Sequence, residues 1–182
     1  MKTDMRVAVS KRMLREGMLR CLEARPLSKI SVSKLCRESG INRTTFYNHY
    51  DSPAIIVKEI ALEYADQFLA AYESGNGGGN GDDRDAPEAC FAYFDERRAE
   101  LRVLFSDHAE NYLAGVTMEI VNDFVARNAP AERTTDQQDL HLLRAAASAG
   151  ATFALIHAWL TLDIKTTPGE LVAILGDLRV GR

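Results

Sequence analysis

The chain has 182 residues, 46% of them hydrophobic and 26% charged, enough to bury a sizeable core in one two-part domain or two small ones. Its net charge of −4 conceals a division, since residues 1–50 hold eleven Lys and Arg against four acids while the rest carry an excess of acid. The basic end suits phosphate, whereas the odd count of three cysteines (Cys21, Cys36, Cys90), with no Cys-x-x-Cys pair, indicates neither a disulfide framework nor a zinc site and reads as small buried apolar residues.

The opening "MKTDMRVAVSKRMLREG" is broken by charges before any apolar run reaches signal length, so a cytoplasmic protein is expected. From Val9 to Leu22 the apolar positions Val9, Met13, Leu14, Met18, Cys21 and Leu22 follow helical spacing, predicting an amphipathic helix that ends before Pro26. Ser31 caps a second, short helix with Val32, Leu35 and Cys36 on its apolar side, and Gly40 supplies the turn after it. Asn42 caps a third helix over about Arg43–His49. A fourth begins at Pro53 behind Ser52 and runs to about Glu73, with Ile55, Ile56, Ile60, Leu62, Tyr64, Phe68 and Leu69 as its apolar positions.

"SGNGGGNGDDRDAP", residues 74–87, is the clearest break, and its five glycines read as a mobile loop. It is no phosphate cradle, because no strand precedes it and no Gly-Lys-Ser follows. Beyond it lie a helix to about Arg98, a short one through Phe105, another over "NYLAGVTMEIVNDFVARN", a long one over Asp139–Ile164, and a last one from Pro168 to about Arg179. No segment alternates with period two, so the expected fold is all-α. Residues 145–162 carry no formal charge and have the length of a membrane span. Against that reading, nearly half are alanine or glycine and His157 sits inside. Ala147, Gly150, Ala151, Ala154 and Ala158 allow close helix approach, while Leu142, Ala146, Ala149, Phe153, Ile156 and Leu160 make a second face. Such a helix is surrounded in part by a second copy.

Two short helices joined through glycine, the second rich in Arg, Thr, Tyr, Asn and His, read either as a helix-turn-helix or as a helical hairpin with a solvated polar face. The stretch "LREGMLRCLEARPLSKISVSKLCRESGINRTTFYNHYDSPAIIVKEI" resembles the amino-terminal domain of the TetR/AcrR family of bacterial transcriptional regulators, over about residues 8–62. The resemblance implies a DNA-binding domain over residues 1–50 and a helical dimerisation and effector domain over 51–182. It implies Arg43 and Thr44 facing bases, Thr45 and Tyr47 on phosphates, Asn48 and His49 near the backbone or base edges, and Ser33 touching phosphate from the second helix. Phe46 and Tyr50 match anchors that hold the recognition helix. The chain departs from the pattern at the fourth helix, where Pro53, preceded by Asp51, replaces a lysine that contacts phosphate in the family.

The implied partners are a double-stranded, pseudo-palindromic operator, a second copy of the chain and a small-molecule effector, with repression as the outcome. Tyr93, Phe94, Phe105, His108, Tyr112, Met118, Phe124 and Trp159 are candidates to line an effector cavity, or else plain core. The alternative is a coactivator or interaction protein of the same fold that binds a protein partner. No paired carboxylates, Ser-His-Asp set or nucleotide loop can be placed together, so no catalytic residue, metal or cofactor is assigned.

Overall fold

A computed structural model describes residues 2–76, 85–127, 135–162 and 164–180. The described residues form nine α-helices and one 3-10 turn: α1 (Lys2–Ala24), η1 (Leu27–Lys29), α2 (Val32–Ser39), α3 (Arg43–Tyr47), α4 (Pro53–Asn76), α5 (Asp85–Glu96), α6 (Arg98–Leu104), α7 (Glu110–Arg127), α8 (Thr135–Thr161) and α9 (Pro168–Val180). None is long and apolar enough to cross a membrane. Helices α4 and α5 reach into both ends of the glycine-rich stretch, so Ser74–Asn76 and Asp85–Pro87 are helical rather than loop, and its centre, 77–84, lies outside the described residues.

The chain divides into two compact units, one of residues 1–64 and 99–113, the other of 65–98 and 114–182. In the first, α1 buries Leu14, Met18, Cys21 and Leu22, as its spacing requires. Val9, expected on that face, is 42% exposed, because it lies about 140° round the helix from Leu14 and opposite Met18. Along α4 the buried positions are Ile56, Val57, Ile60 and Tyr64, one helical stripe, which leaves the expected Ile55 and Leu62 exposed on the other side.

Helix α1 approaches the end of α2 closely at Gly17. A Cβ on Gly17 would stand 2.7 Å from Ser39 Cβ and 3.0 Å from Ser39 Cα. Ser39 is itself buried, its hydroxyl donating to Leu35 O at 2.8 Å. Gly17→Ala therefore sets a helix-propensity gain of up to about 1 kcal/mol against overpacking of about 1–3 kcal/mol on backbone that cannot swing away. We expect a net loss, read as a lower urea midpoint at unchanged slope. A raised midpoint would show that α1 and α2 separate freely here.

In the second unit Trp159, Phe91, Cys90 and Leu160 are fully buried, with Leu171, Val172 and Leu175 of α9. Helix α9 opens on a capping box: Glu170 accepts from the Thr167 amide at 2.8 Å and hydroxyl at 2.9 Å, with Pro168 as first residue. All three cysteines are buried free thiols. Burial pushes the Cys90 thiol up to about 11, and it donates to Phe68 O at 3.3 Å, so it behaves as a small core residue.

Candidate nucleic-acid interface

The candidate interface is built by three local devices. Ser31 accepts from the Lys34 amide at 3.2 Å and starts α2. Gly40 ends it at φ 68°, where a side chain would be strained, while its amide and that of Ile41 both donate to Cys36 O. Asn42 Oδ1 then accepts from the Thr45 amide at 2.8 Å and starts α3. The α3 helix proper is shorter than the expected Arg43–His49, but α-type bonds continue from Asn48 to Thr44 O at 3.1 Å and from Tyr50 to Phe46 O at 2.9 Å. The recognition segment thus keeps a helical path to Tyr50.

That path sorts its side chains. Phe46 is fully buried and Tyr50 is 5% exposed, one turn apart on the inner face. Arg43, Thr44, Tyr47 and Asn48 are exposed on the outer face, and Thr45 and His49 are half-buried at its edges. Ser33 is exposed in the first turn of α2, with Arg37 one turn on, also exposed. Among the described residues the side chains of Arg37 and Arg43 make no ion pair and no hydrogen bond. Arg37 was not singled out from sequence; its signal was the i, i+4 spacing from Ser33.

The inner face is fixed by charge as well as packing. Tyr50 donates its hydroxyl to Glu59 of α4, and Lys11 of α1 pairs with the same carboxylate at 2.7 Å while lying 5.4 Å from the Tyr50 ring centroid. Burial pushes the Glu59 carboxyl up, but the bonds from Lys11 and Tyr50 and the charges of Lys11 and Arg15 outweigh it and hold the group below its usual range. Burial and Glu59 together push the Tyr50 phenol up, so it remains a donor. Arg15, half-buried, bridges Glu63 of α4 and Glu100 of α6, and Arg20 reaches Glu38 of α2, donating to its carbonyl at 2.8 Å. Pro53 is the first residue of α4 and Asp51 before it is exposed, so no cation stands at that helix start.

The candidate effector residues are divided between the units. Phe105, His108 and Tyr112 belong to the first and are half-buried. His108 holds the end of α1, with Nδ1–H donating to Leu22 O at 2.5 Å and its carbonyl accepting from the Leu27 amide at 2.8 Å. Tyr93, Phe94, Met118 and Trp159 belong to the second. Tyr93 lies under the Arg97 guanidinium, 4.0 Å from centroid, Phe94 is buried and Met118 is 55% exposed. Trp159 is buried and donates to Thr166 O at 3.2 Å. The Phe124 side chain lies outside the described residues.

No protein-family model matches the sequence, and no curated protein does. By structure the chain is similar to a TetR transcriptional regulator from Streptococcus agalactiae 2603V, at 17% identity, covering 98% of this chain and 97% of that one with a TM-score of 0.64. The fatty acid degradation regulator FadR from Bacillus halodurans follows at 12% identity, 94% and 95% coverage and a TM-score of 0.62. The TetR family repressor AlkX from Dietzia sp. strain DQ12-45-1b, implicated in biodegradation of n-alkanes, has 15% identity, 93% and 94% coverage and a TM-score of 0.51. The chain has the all-α fold of these regulators over nearly its whole length.

Proposed function

We propose that this chain is a cytoplasmic DNA-binding transcriptional regulator, a repressor that reads a pseudo-palindromic operator as a homodimer and is released by a small-molecule effector. The observation that carries the reading is the outer face of the recognition segment. Arg43, Thr44, Tyr47 and Asn48 are exposed together on a helix narrow enough for the major groove, and Phe46 and Tyr50 fix its orientation from behind. Hydroxyl and amide groups there suit phosphates and base edges, and Ser33 and Arg37 extend the polar face onto α2.

Dimerisation is supported by what the second unit leaves uncovered. Leu140 and Leu143 of α8 are 49% and 69% exposed, and Ile174 of α9 is 42% exposed. Ala147, Gly150 and Ala154 are exposed along α8, and a Cβ on Gly150 or Gly176 would meet open space. A second copy laid on this face buries it, and a dimer that reads two half-sites one turn of DNA apart needs its recognition helices about 34–36 Å apart. Repression follows AlkX by analogy of fold. The effector arm is tested by varying Tyr93, Phe105, His108, Tyr112, Met118 and Trp159. Of these, His108 and Trp159 are held by internal hydrogen bonds.

Selection of duplexes from a random-sequence pool by the full chain tests the reading, and a recovered two-fold-symmetric motif is the expected result. Failure to enrich any motif, with binding no stronger than to scrambled DNA, would remove operator reading. On the recovered site, Arg43→Ala is expected to cost about 1–3 kcal/mol and to relax preference at one base pair per half-site. Uniform weakening on every sequence would place Arg43 on phosphate instead.

A further inference from the structure

One stripe of α1 meets the helix-turn-helix in order. Arg20 reaches Glu38, Gly17 lies against Ser39, and Met13 Cε is 3.7 Å from where a Cβ on Gly40 would stand. Moving toward the start of α1 thus moves along α2 toward the turn. The stripe continues through Ser10 to Arg6, seven residues before Met13 as Met13 is seven before Arg20, and about 10 Å further along the axis. The stripe thus carries Arg6 past the level of the Gly40 turn.

Helix α4 gives the axial level of Arg6. Lys11 pairs with Glu59 and Arg15 with Glu63, both 48 residues apart, so α1 and α4 run side by side in the same direction here. The same offset sets Arg6 level with Ala54, the second residue of α4. That is the helix start that carries Pro53 and follows an exposed Asp51.

Charge separates Arg6 from its neighbours. Lys11, Arg12, Arg15 and Arg20 each face a carboxylate: Glu59, Glu16, the Glu63–Glu100 pair and Glu38. Arg6 is exposed and makes no ion pair or hydrogen bond with any of the described residues. A guanidinium beside a DNA-reading helix that meets no carboxylate among the described residues has phosphate as its natural counter-ion.

We infer that Arg6 is a DNA-backbone contact, gripping a phosphodiester that flanks the bases read by α3, at the axial level where α4 starts without a cation. This rests on the DNA-binding reading above. The test compares the full-length wild type with Arg6→Ala, Arg6→Lys and Arg12→Ala, on the selected duplex and on a scrambled duplex of the same length, between about 50 and 200 mM salt. Arg6→Ala is expected to reduce the slope of log K against log salt by about 0.9 per bound protomer and to weaken binding about fivefold per protomer near 0.15 M, equally on both duplexes. Arg6→Lys keeps the slope, and so does Arg12→Ala, which removes the same charge from another face of α1.

An unchanged slope in Arg6→Ala, with wild-type binding intact, overturns the inference and leaves the DNA reading standing. A loss confined to the selected duplex at unchanged slope also overturns it, by making Arg6 a base contact. Wild-type protein that holds neither duplex overturns the DNA reading and this inference with it.

Discussion

Phe46→Ala is expected to destabilise the chain by about 3–5 kcal/mol and to abolish selective DNA binding. The α3 helix has five residues, far below the length at which a helix persists alone in water, so tertiary anchoring holds it. Phe46 is the fully buried part of that anchor, with the Tyr47 ring edge-on at 5.3 Å and the Tyr50 ring at 6.1 Å. A loss of this size is a large fraction of the roughly 5–15 kcal/mol that stabilises a typical domain. Tyr47→Ala is the matched control, since the neighbouring ring is 52% exposed. It should leave stability within about 0.5 kcal/mol of wild type while weakening duplex binding. Far-UV circular dichroism in urea and duplex titration of both variants separate anchor from reader. If both variants lose binding and keep the wild-type midpoint, Phe46 is not what orients α3.

The amino-terminal elements were legible because their signals are local. Ser31, Gly40 and Asn42 each act within four residues of themselves, and Phe46 and Tyr50 were marked as anchors by the resemblance. Where the signal was absent, the boundary moved. The first two turns of α1 carry Lys2, Asp4 and Arg6 rather than an apolar stripe, yet Met, Arg and Ala are good helix formers and the helix begins at Lys2. The same holds for "TDQQ", which reads as a polar connection and is the first turn of α8. Turn η1 has too few residues to show a period. The apolar side of α4 was drawn too wide because Ile55 and Leu62 are as hydrophobic as Ile56 and Ile60, and only packing tells them apart. Arg98 could not be read at all. Its partners Trp159 and Ile164 are more than sixty residues away, and nothing at position 98 distinguishes it from a solvated helix end.

That distant pairing gives the second large effect. Trp159 lies in the last turn of α8, 1% exposed, with its ring edge-on to Phe91 of α5 at 6.3 Å and the Arg98 guanidinium 4.4 Å from its centre. Arg98 also donates to the carbonyls of Trp159 and Ile164, both at 2.8 Å, closing the α8 terminus, and the indole N–H donates to Thr166 O on the way into α9. The Trp159 side chain therefore meets α5, Arg98 and the segment that leads into α9. Trp159→Ala is expected to cost about 3–5 kcal/mol. Trp159→Phe keeps most of the ring and loses the N–H, so it should cost only about 1–2 kcal/mol. Equal losses in the two would assign the effect to the hydrogen bond rather than to packing. A cycle with Arg98→Ala should return a coupling of about 0.5–2 kcal/mol, the range of a partly desolvated cation over an indole. Because α8 and α9 carry the exposed faces assigned to the dimer, loosening their junction should also raise the concentration at which Trp159→Ala dissociates. Sedimentation of Trp159→Ala and Trp159→Phe checks this, and an unshifted dimer in a clearly destabilised Trp159→Ala would place the interface elsewhere.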